Sequence, residues 1–276
     1  MKRILVFGST GFIGSEFTSH IKSLGHEVVA LGRTASTSID FHHPETWESL
    51  IKDGDYIAFF ITPSAGEEDH HFKAIERMFK ICSEKKIAHF LYLSSGGAIY
   101  GRGEKAWKES DQTNPNSPYG LFKKKVEELL LSQSFSVSIA RPSNIYGEKQ
   151  SPHKRFGAVT TFFHQIENGI TLNIYGTLDI SKDFLHVEDL VEALSILLLQ
   201  KKSGVFNLGT GKNHSLKEII SEMEKVTGKK AEMIFFPMAI TDIPYYRLDC
   251  TKAENVLEWK AKIHLEEGIL RYKDKK

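Results

Sequence analysis

A tyrosine and a lysine are spaced so that they could carry out acid–base chemistry. Tyr119 and Lys123 lie four residues apart, directly after Pro118, in a stretch with a helical pattern. Residues at this spacing share one face of a helix. A free phenol titrates at about pH 10, and a neighbouring cation lowers its pKa toward neutrality. The pair therefore indicates proton removal from a sugar or alcohol hydroxyl as hydride leaves its carbon, although a surface lysine beside a half-buried tyrosine shows the same spacing.

A glycine-rich segment at the N-terminus gives this pair its setting. The apolar run at 4–7 is followed by Gly8, Gly11 and Gly14 and then by a helical pattern. In a strand–loop–helix context these glycines permit a tight turn, a close backbone approach to a pyrophosphate and close helix packing, and the helix N-terminus attracts the phosphates. We therefore expect a dinucleotide here. The predicted contacts in the loop are Gly8, Thr10, Gly11, Phe12, Ile13 and Gly14.

The end of the second predicted strand bears on which dinucleotide binds. An acidic residue there would bind the ribose 2′-hydroxyl of NAD, but this chain has Gly32-Arg33-Thr34. Arg33 is able to pair with a 2′-phosphate. We therefore expect NADP or NAD, with NADP slightly favoured.

The hydrophobic pattern predicts alternating strands and helices up to Arg141, after which the pattern changes. This alternation is typical of an α/β fold, a Rossmann-type doubly wound parallel sheet with helices on both faces, followed by a smaller C-terminal substrate-binding domain. The predicted strands are 4–7, 27–31, 56–61, 89–93, 136–140 and 205–208, and the predicted helices are 15–24, 69–84, 118–131, 159–168, 187–200 and 216–227.

Composition narrows the class of protein. The 276 residues carry 36 Lys+Arg and 35 Asp+Glu, a net charge of +1, so no basic surface for nucleic acid is expected. No apolar run is long enough to span a membrane, and two distant cysteines do not form a disulfide framework, which favours a cytoplasmic protein. The adjacent pairs His42-His43 and His70-His71 lack chelating spacing, so we expect surface or helix-start histidines and no metal site.

Six motifs together resemble one family. The chain is similar to the extended short-chain dehydrogenase/reductases of the NAD(P)-dependent nucleotide-sugar epimerase/dehydratase group, which includes the UDP-glucose 4-epimerases. The resemblance covers nearly the whole chain. The motifs are the glycine loop at 8–14, Leu-Ser-Ser-Gly-Gly-Ala-Ile-Tyr-Gly at 93–101, Ser-Pro-Tyr-Gly-Leu-Phe-Lys at 117–123, Arg-Pro-Ser-Asn-Ile-Tyr-Gly at 141–147, Lys-Asp-Phe-Leu-His-Val-Glu-Asp at 182–189 and Phe-Asn-Leu-Gly at 206–209.

The resemblance implies roles and boundaries. Tyr119 would be the general acid/base, and Lys123 would hold the nicotinamide ribose and tune Tyr119. Asp40 and Phe41 would lie by the adenine, Ser143 would contact the cofactor, and Asn144 would contact the sugar nucleotide. The dinucleotide-binding domain would comprise 1–146 and about 178–208, and the substrate-binding part about 147–177 and 209–276. The resemblance also implies a homodimer through two helices, here 69–84 and 118–131, although burial within the monomer accounts equally well for many of their apolar residues.

The chain also departs from the family pattern. Gly96 stands where a catalytic Ser or Thr is usual, and the other familiar hydroxyl position is Ala98. Ser95 or its neighbour Ser94 is the candidate replacement. For the substrate pyrophosphate the chain offers Lys182, with Arg247 as a nearby second candidate.

These observations predict an enzyme that interconverts nucleotide sugars by reversible hydride transfer at C4. The alternative is an NADPH-dependent reductase of a nucleotide 4-keto-deoxysugar, which Arg33 favours. A dehydratase is less favoured, because Gly96-Gly97 supplies no acidic residue. The missing Ser or Thr also leaves open a non-catalytic NADP-binding protein.

Overall fold

The structure is a computed structural model that describes residues 1–152, 157–239 and 242–273. The chain forms two compact units, each built from separate stretches of sequence. The first unit comprises 1–99, 115–141 and 191–206, and the second comprises 100–114, 142–190 and 207–276.

The described residues contain short strands, helices and two 3-10 turns at Pro44–Thr46 and Glu48–Leu50. The strands are β1 (Arg3–Phe7), β2 (Glu27–Gly32), β3 (Thr37–Ser38), β4 (Tyr56–Phe59), β5 (His89–Leu93), β6 (Ala106–Trp107), β7 (Val137–Pro142), β8 (Asn144–Tyr146), β9 (Leu172–Tyr175), β10 (Ser181–Lys182), β11 (Phe184–His186), β12 (Gly204–Leu208), β13 (His214–Ser215), β14 (Met233–Phe236) and β15 (Tyr245–Leu248). The helices are α1 (Phe12–Ser23), α2 (Glu68–Glu84), α3 (Gly96–Ile99), α4 (Pro118–Leu131), α5 (Ala158–Glu167), α6 (Val187–Leu199), α7 (Leu216–Thr227), α8 (Thr251–Leu257) and α9 (Leu265–Leu270).

A seven-stranded sheet runs in the order β12-β7-β5-β4-β1-β2-β3. The pairs from β7 across to β3 are parallel. The strand order reverses between β1 and β4, and in open parallel sheets ligands bind outside the carboxyl ends of the strands at such a point. The predicted Rossmann-type, doubly wound α/β fold is confirmed.

The sheet is buried on both faces, which explains the continuous apolar runs in its strands. Residues 4–7 of β1 and all four of β4 are buried. Helix α2 packs Ile75, Met78 and Phe79 against this core. The carboxyl ends of β1 and β5 are thereby fixed by packing, and the loops that follow them carry the candidate site residues.

The second unit has its own core and three small sheets. Apolar faces of α5, α7 and α9 meet in one cluster that includes Phe163, Met223 and Ile269. A four-stranded sheet has the order β13-β10-β15-β6, and the pairs β11-β8 and β14-β9 form two-stranded sheets. Several strands are only two residues long, so tertiary pairing and not local sequence defines them.

The structure differs from the sequence expectations in its boundaries. Helix α1 begins at Phe12, three residues before the predicted start, because the third loop glycine is already helical. The second unit also contains 100–114, 142–146, 178–190 and 207–208, whereas the predicted division placed these residues in the first domain. Helices α8 and α9 lie in a segment for which no helix was predicted.

Two further expectations concern cysteines and membranes. Cys82 and Cys250 are both free thiols. Among the described residues, every helix is too short or too polar to cross a bilayer.

Candidate active site

The glycine loop links the carboxyl end of β1 to the start of α1. Gly8 has φ +83°, a conformation that favours glycine, and its amide donates to the carbonyl of Leu31 over 2.9 Å. A Cβ on Gly14 would lie 2.1 Å from the Gly8 carbonyl oxygen. The first turn of the helix therefore packs directly on the loop, and only glycine fits at position 14.

This loop has the features that a dinucleotide pyrophosphate requires. Gly11 is the N-cap residue of α1, and no side chain caps the helix, so its first-turn amides are oriented toward the loop. Thr10 and Gly11 are exposed, while Phe12 and Ile13 are half-buried. An exposed backbone beside the positive end of a helix fits an anionic ligand, and the residues present fit the expected cofactor.

Residues after β2 occupy different environments. Arg33 is exposed. The preceding residue, Gly32, lies next to the glycine loop, since a Cβ on Gly32 would be 3.2 Å from the Thr10 hydroxyl. The Asp40 carboxylate accepts a hydrogen bond from the His42 amide over 3.0 Å. Phe41 is 5% exposed and its ring stacks on Trp47 in the core. Of the two predicted adenine contacts, Asp40 is therefore exposed, whereas the Phe41 ring is packed in the core.

Local sequence fixes the start of the helix that carries Tyr119. Ser117 caps α4, because its hydroxyl accepts a hydrogen bond from the Gly120 amide over 3.1 Å, and Pro118 occupies the first turn. A Cβ on Gly120 would lie 2.3 Å from the carbonyl oxygen of Ala98. Glycine at 120 therefore lets the first turn of α4 lie against α3, which follows the serines at the end of β5.

This close approach brings Tyr119 and Ser95 together. The Tyr119 side chain is hydrogen-bonded to Ser95, and 39% of the residue is exposed. Desolvation by the surrounding protein raises the pKa of the phenol to about 12, and the hydrogen bond with Ser95 lowers it. In the protein alone the phenol is therefore neutral at pH 7, and it needs further positive charge nearby to act as a base.

Lys123 lies one turn along α4 and is buried. Its Nζ donates to the carbonyl of Leu93 over 2.8 Å and lies 5.5 Å from the Tyr119 ring centroid. Burial lowers the pKa of this ammonium to about 7, and the charge of Glu127 raises it. The predicted pair thus shares one helix face, with the cation close enough to act on the phenol.

The other hydroxyl candidate has a different environment. Ser94 is 3% exposed, and its Oγ has no hydrogen-bond partner among the described residues. Gly96 and Ala98, which replace the usual hydroxyl residues, both lie in α3. Of the two serines, Ser95 is therefore the one in contact with Tyr119.

In the second unit, Ser143 and Asn144 follow β7. Ser143 is buried, and its amide donates to the Leu208 carbonyl over 2.8 Å. The Asn144 side-chain amide donates to the backbone carbonyl of Asp183 over 2.9 Å. The Asp183 carboxylate in turn accepts from the amides of Thr210 and Gly211, which ties residues 210–211 to the segment between β10 and β11.

The two candidate cations for a substrate pyrophosphate lie on opposite faces of the four-stranded sheet. Lys182 in β10 is paired in register with Tyr246 in β15. Successive side chains of a strand alternate between faces, so Arg247 faces away from Lys182. Burial lowers the pKa of Lys182, and Asp242 raises it. The side chains of Lys182 and Arg247 are therefore on different faces of the sheet. Of the two candidates, Lys182 is the one whose pKa is shifted by an acidic neighbour, Asp242.

The paired histidines behave differently from one another. His70 and His71 lie in the first turn of α2, one of the two settings expected, and His71 is only 1% exposed and packs on Phe41. Its Nδ1 lies 3.1 Å from Nε2 of His42. Burial lowers the pKa of His71 to about 3, so it stays neutral. Within the described ranges, no three His, Cys, Asp or Glu side chains are grouped to hold a metal ion.

Comparison with known proteins gives the family. The model of the NAD dependent epimerase/dehydratase family matches residues 4–209. The chain belongs to this family. The resemblance drawn from the six motifs is thus confirmed, and the chain is one of the family's enzymes.

Individual family members show how similar the chain is to characterised proteins. It is 28% identical to a UDP-glucose 4-epimerase of Mycolicibacterium smegmatis over 98% of this chain and 96% of the relative. It is 30% identical to a dTDP-4-dehydro-6-deoxyglucose reductase of Escherichia coli over 69% of this chain and 62% of the relative. The crystal structure of UDP-glucose 4-epimerase with UDP-glucose from Thermotoga maritima superposes with a TM-score of 0.90 at 26% identity, covering 99% of both chains.

Some of the residues that position the candidate active site could not be identified from the sequence. The tight contact of Gly120 with Ala98 depends on how α3 and α4 pack, which the sequence does not show. Glu127 shares the i, i+4 spacing with Lys123, but its acidic and basic neighbours on α4 indicate a solvated face, and it is 3% exposed. Its partner Arg141 lies on β7, and only the fold brings the two together.

Proposed function

We propose that this chain interconverts nucleotide sugars that differ in configuration at C4. The observation that carries the proposal is the cluster of Tyr119, Ser95 and Lys123 in the same unit as a glycine loop that fits a dinucleotide. Family membership and the named relatives support it. When bound, the nicotinamide cofactor supplies a reversible acceptor for the hydride that leaves the sugar carbon.

In this proposal Tyr119 moves the proton. Its phenolate takes the proton of the sugar 4-hydroxyl and later returns it, and Ser95 donates a hydrogen bond to the same sugar oxygen. Lys123 stabilises the phenolate, because an ammonium 5.5 Å from the ring centroid favours the negative form. Ser95 thereby replaces the hydroxyl that Gly96 and Ala98 lack, and Ser94 remains the second candidate.

We place the sugar nucleotide on the second unit through Asn144 and Lys182. Lys182 is half-buried next to Asp242, and a partly desolvated cation of this kind is suited to a diphosphate. Arg247 lies on the other sheet face, so a single cation is assigned to this role. UDP-glucose is the first substrate to test, because relatives of similar length act on it by name.

For the cofactor we propose NAD or NADP, with Arg33 deciding between them. Crystal structures of two more distant neighbours hold NAD, which argues for NAD in this fold. The exposed Arg33 beside the glycine loop favours a 2′-phosphate. To test this point, the affinities of NAD⁺ and NADP⁺ are measured for the cofactor-free wild type and for cofactor-free Arg33→Ala. The NADP preference would be excluded if the wild type bound NAD⁺ as tightly as NADP⁺ or more tightly, and if Arg33→Ala had the same ratio of the two affinities.

A second candidate function is reduction of a 4-keto-deoxysugar nucleotide. The 30% identity to a dTDP-4-dehydro-6-deoxyglucose reductase favours it, as does Arg33, because a dissociable phosphorylated cofactor suits net reduction. The same Tyr119 and Lys123 would then deliver a proton to the keto oxygen. The two functions differ in whether the cofactor is consumed.

One experiment separates the candidates. UDP-glucose carrying deuterium at C4 is incubated with the purified protein, and the sugar product is analysed by mass spectrometry while nicotinamide absorbance is followed. Epimerisation predicts the C4 epimer with deuterium retained and no net change in absorbance. Oxidation of added NADPH only with a 4-keto-deoxysugar nucleotide would instead establish the reductase. Absence of both reactions across UDP-, dTDP-, GDP- and CDP-sugars would overturn the proposal.

A further inference from the structure

A buried ion pair lies behind the acid–base cluster in the first unit. Glu127 on α4 and Arg141 on β7 are 3% and 5% exposed. Nε and Nη2 of Arg141 donate to the carboxylate, with the shortest contact at 2.5 Å. Burying two charges is costly, and an apolar pair of similar volume is often as stable, so such a pair is weak evidence of a stabilising role.

The position of Glu127 points to Lys123. Tyr119, Lys123 and Glu127 follow one another at four-residue intervals, so they form a single row along α4. Lys123 is 2% exposed, and among the residues that the structure describes its ammonium donates to one carbonyl, that of Leu93, at 2.8 Å. A buried ammonium with so few oxygen contacts loses its proton readily unless an anion lies nearby.

The other titratable groups around Lys123 do not supply that anion. Tyr92 of β5 presents its ring 4.7 Å from the Lys123 Nζ, and burial raises the pKa of its phenol, so it is neutral. His71 of α2, whose charge would repel that of Lys123, is neutral as well. On α4 itself Tyr119 is the group to be deprotonated, which leaves Glu127, oriented by Arg141, as the negative charge acting on Lys123.

We propose that Glu127, held by Arg141, is a positioning residue for the reaction, because it keeps the Lys123 ammonium protonated so that Lys123 can make Tyr119 acidic. The inference rests on the proposed function of Tyr119 and Lys123. It assigns to Glu127 no contact with substrate or cofactor. Its action passes through Lys123 alone.

Two variants test the proposal. Glu127→Gln keeps the shape and removes the anion, but it leaves the Arg141 charge buried without its partner, which destabilises the fold. Glu127→Gln/Arg141→Met removes both charges, and replacing a buried pair by uncharged groups is often tolerated. Thermal unfolding midpoints of both variants show whether each protein is folded.

The first readout is independent of turnover. Lysines are labelled with ¹³C at Cε, the Lys123 resonance is identified by its absence in Lys123→Arg, and the protein is titrated by NMR. We expect the folded double variant to lose the Lys123 proton at a pH about 1 unit or more lower than the wild type, since a nearby opposite charge shifts a group by that much. Exposed lysines in the same spectrum serve as internal controls.

The second readout is the pH profile of sugar interconversion. We expect the alkaline limb of the kcat profile to move to lower pH in the double variant. At pH values above the shifted limb its activity should be about tenfold or more below that of the wild type, and at lower pH the two activities should be closer. A double variant with a restored unfolding midpoint, a wild-type Lys123 titration and a wild-type profile would show that the pair is only structural and overturn the proposal. A wild-type protein that turns over no nucleotide sugar would instead refute the proposed function, and the NMR titration would still decide the role of Glu127.

Discussion

At the scale of single residues, the chemistry depends on how burial and neighbouring charge shift two side chains. Burial raises the pKa of Tyr119 to about 12 and lowers that of Lys123 to about 7, so both shifts oppose the charged forms that the reaction needs. The hydrogen bond with Ser95 and the charge of Glu127 act in the opposite direction. Burial and these two neighbours therefore shift each pKa in opposite directions. Removing Ser95 or Glu127 should change the pH dependence of the reaction.

Replacing the phenol tests the acid–base role directly. Tyr119→Phe removes the hydroxyl and keeps the ring, so we expect turnover to fall by about 10²–10⁴-fold with little change in the thermal unfolding midpoint. Tyr56→Phe is the matched control, because Tyr56 lies at the amino end of β4, whereas the candidate site follows the carboxyl ends of the strands. Equal activity in Tyr119→Phe and Tyr56→Phe would contradict the assignment.

The two serines are separated by the pH dependence of kcat. Ser95→Ala removes the hydrogen bond that lowers the pKa of Tyr119, so that pKa should rise and the acidic limb of the profile should move up by about one pH unit. Ser94→Ala should move the limb less, because its hydroxyl does not contact Tyr119. The reverse order would assign the missing family hydroxyl to Ser94.

At the scale of elements, close backbone contacts decide where the functional groups lie. The start of α1 packs on the Gly8 carbonyl, and the start of α4 packs on the Ala98 carbonyl, each through a glycine. Both helices begin beside the carboxyl end of a strand of the central sheet. Two contacts of the same kind thus build the cofactor loop and the acid–base cluster.

Filling the first of these contacts should abolish cofactor binding. In Gly14→Ala the added methyl would lie 2.1 Å from the Gly8 oxygen, so the loop must move, and we expect the dinucleotide released on denaturation to fall below about a tenth of the wild-type amount. Gly25→Ala is the control, because its φ of +78° makes alanine strained but no atom lies within 4 Å. It should lower the unfolding midpoint and keep the dinucleotide. Full dinucleotide content in Gly14→Ala would show that the loop does not bind it.

The sequence predicted long elements well and short ones poorly. Strand β5 and helices α4 and α7 have the predicted bounds, because continuous apolar runs and 3.6-residue periodicity are local signals. The two-residue strands β6 and β10 gain their pairing from distant β15, so nothing in their own residues indicates a strand. For the same reason the opposite orientations of Lys182 and Arg247 could not be predicted.

The candidate site shows the same division. The Tyr119–Lys123 pair and the glycine loop were visible as spacings within one helix or one loop. The partner of Tyr119 was narrowed to two serines, because the side-chain direction after β5 depends on the turn into α3. The Glu127–Arg141 pair joins a helix to a strand and became visible only in the fold.

At the scale of the whole molecule, the predicted homodimer is a separate proposal. Leu121 and Leu131 on α4 are 57% and 56% exposed, and the predicted contact uses this helix together with α2. We expect light scattering to give about twice the 31.2 kDa chain mass, and Leu131→Lys to lower that mass by placing a charge in the contact. Val256→Lys, at an exposed apolar position of α8, should not change it. A monomeric wild type would refute the dimer.

The Tyr119 phenol is neutral in the protein alone, and a bound oxidised nicotinamide would add its positive charge to that of Lys123 and make the phenol acidic. The most direct measurement is a titration of tyrosinate absorbance in the wild type and in Tyr119→Phe, with and without bound oxidised cofactor. The difference between the two proteins should show ionisation at about pH 12 without cofactor and near neutrality with it. A phenol that still ionises at about pH 12 in the loaded wild type would contradict the account.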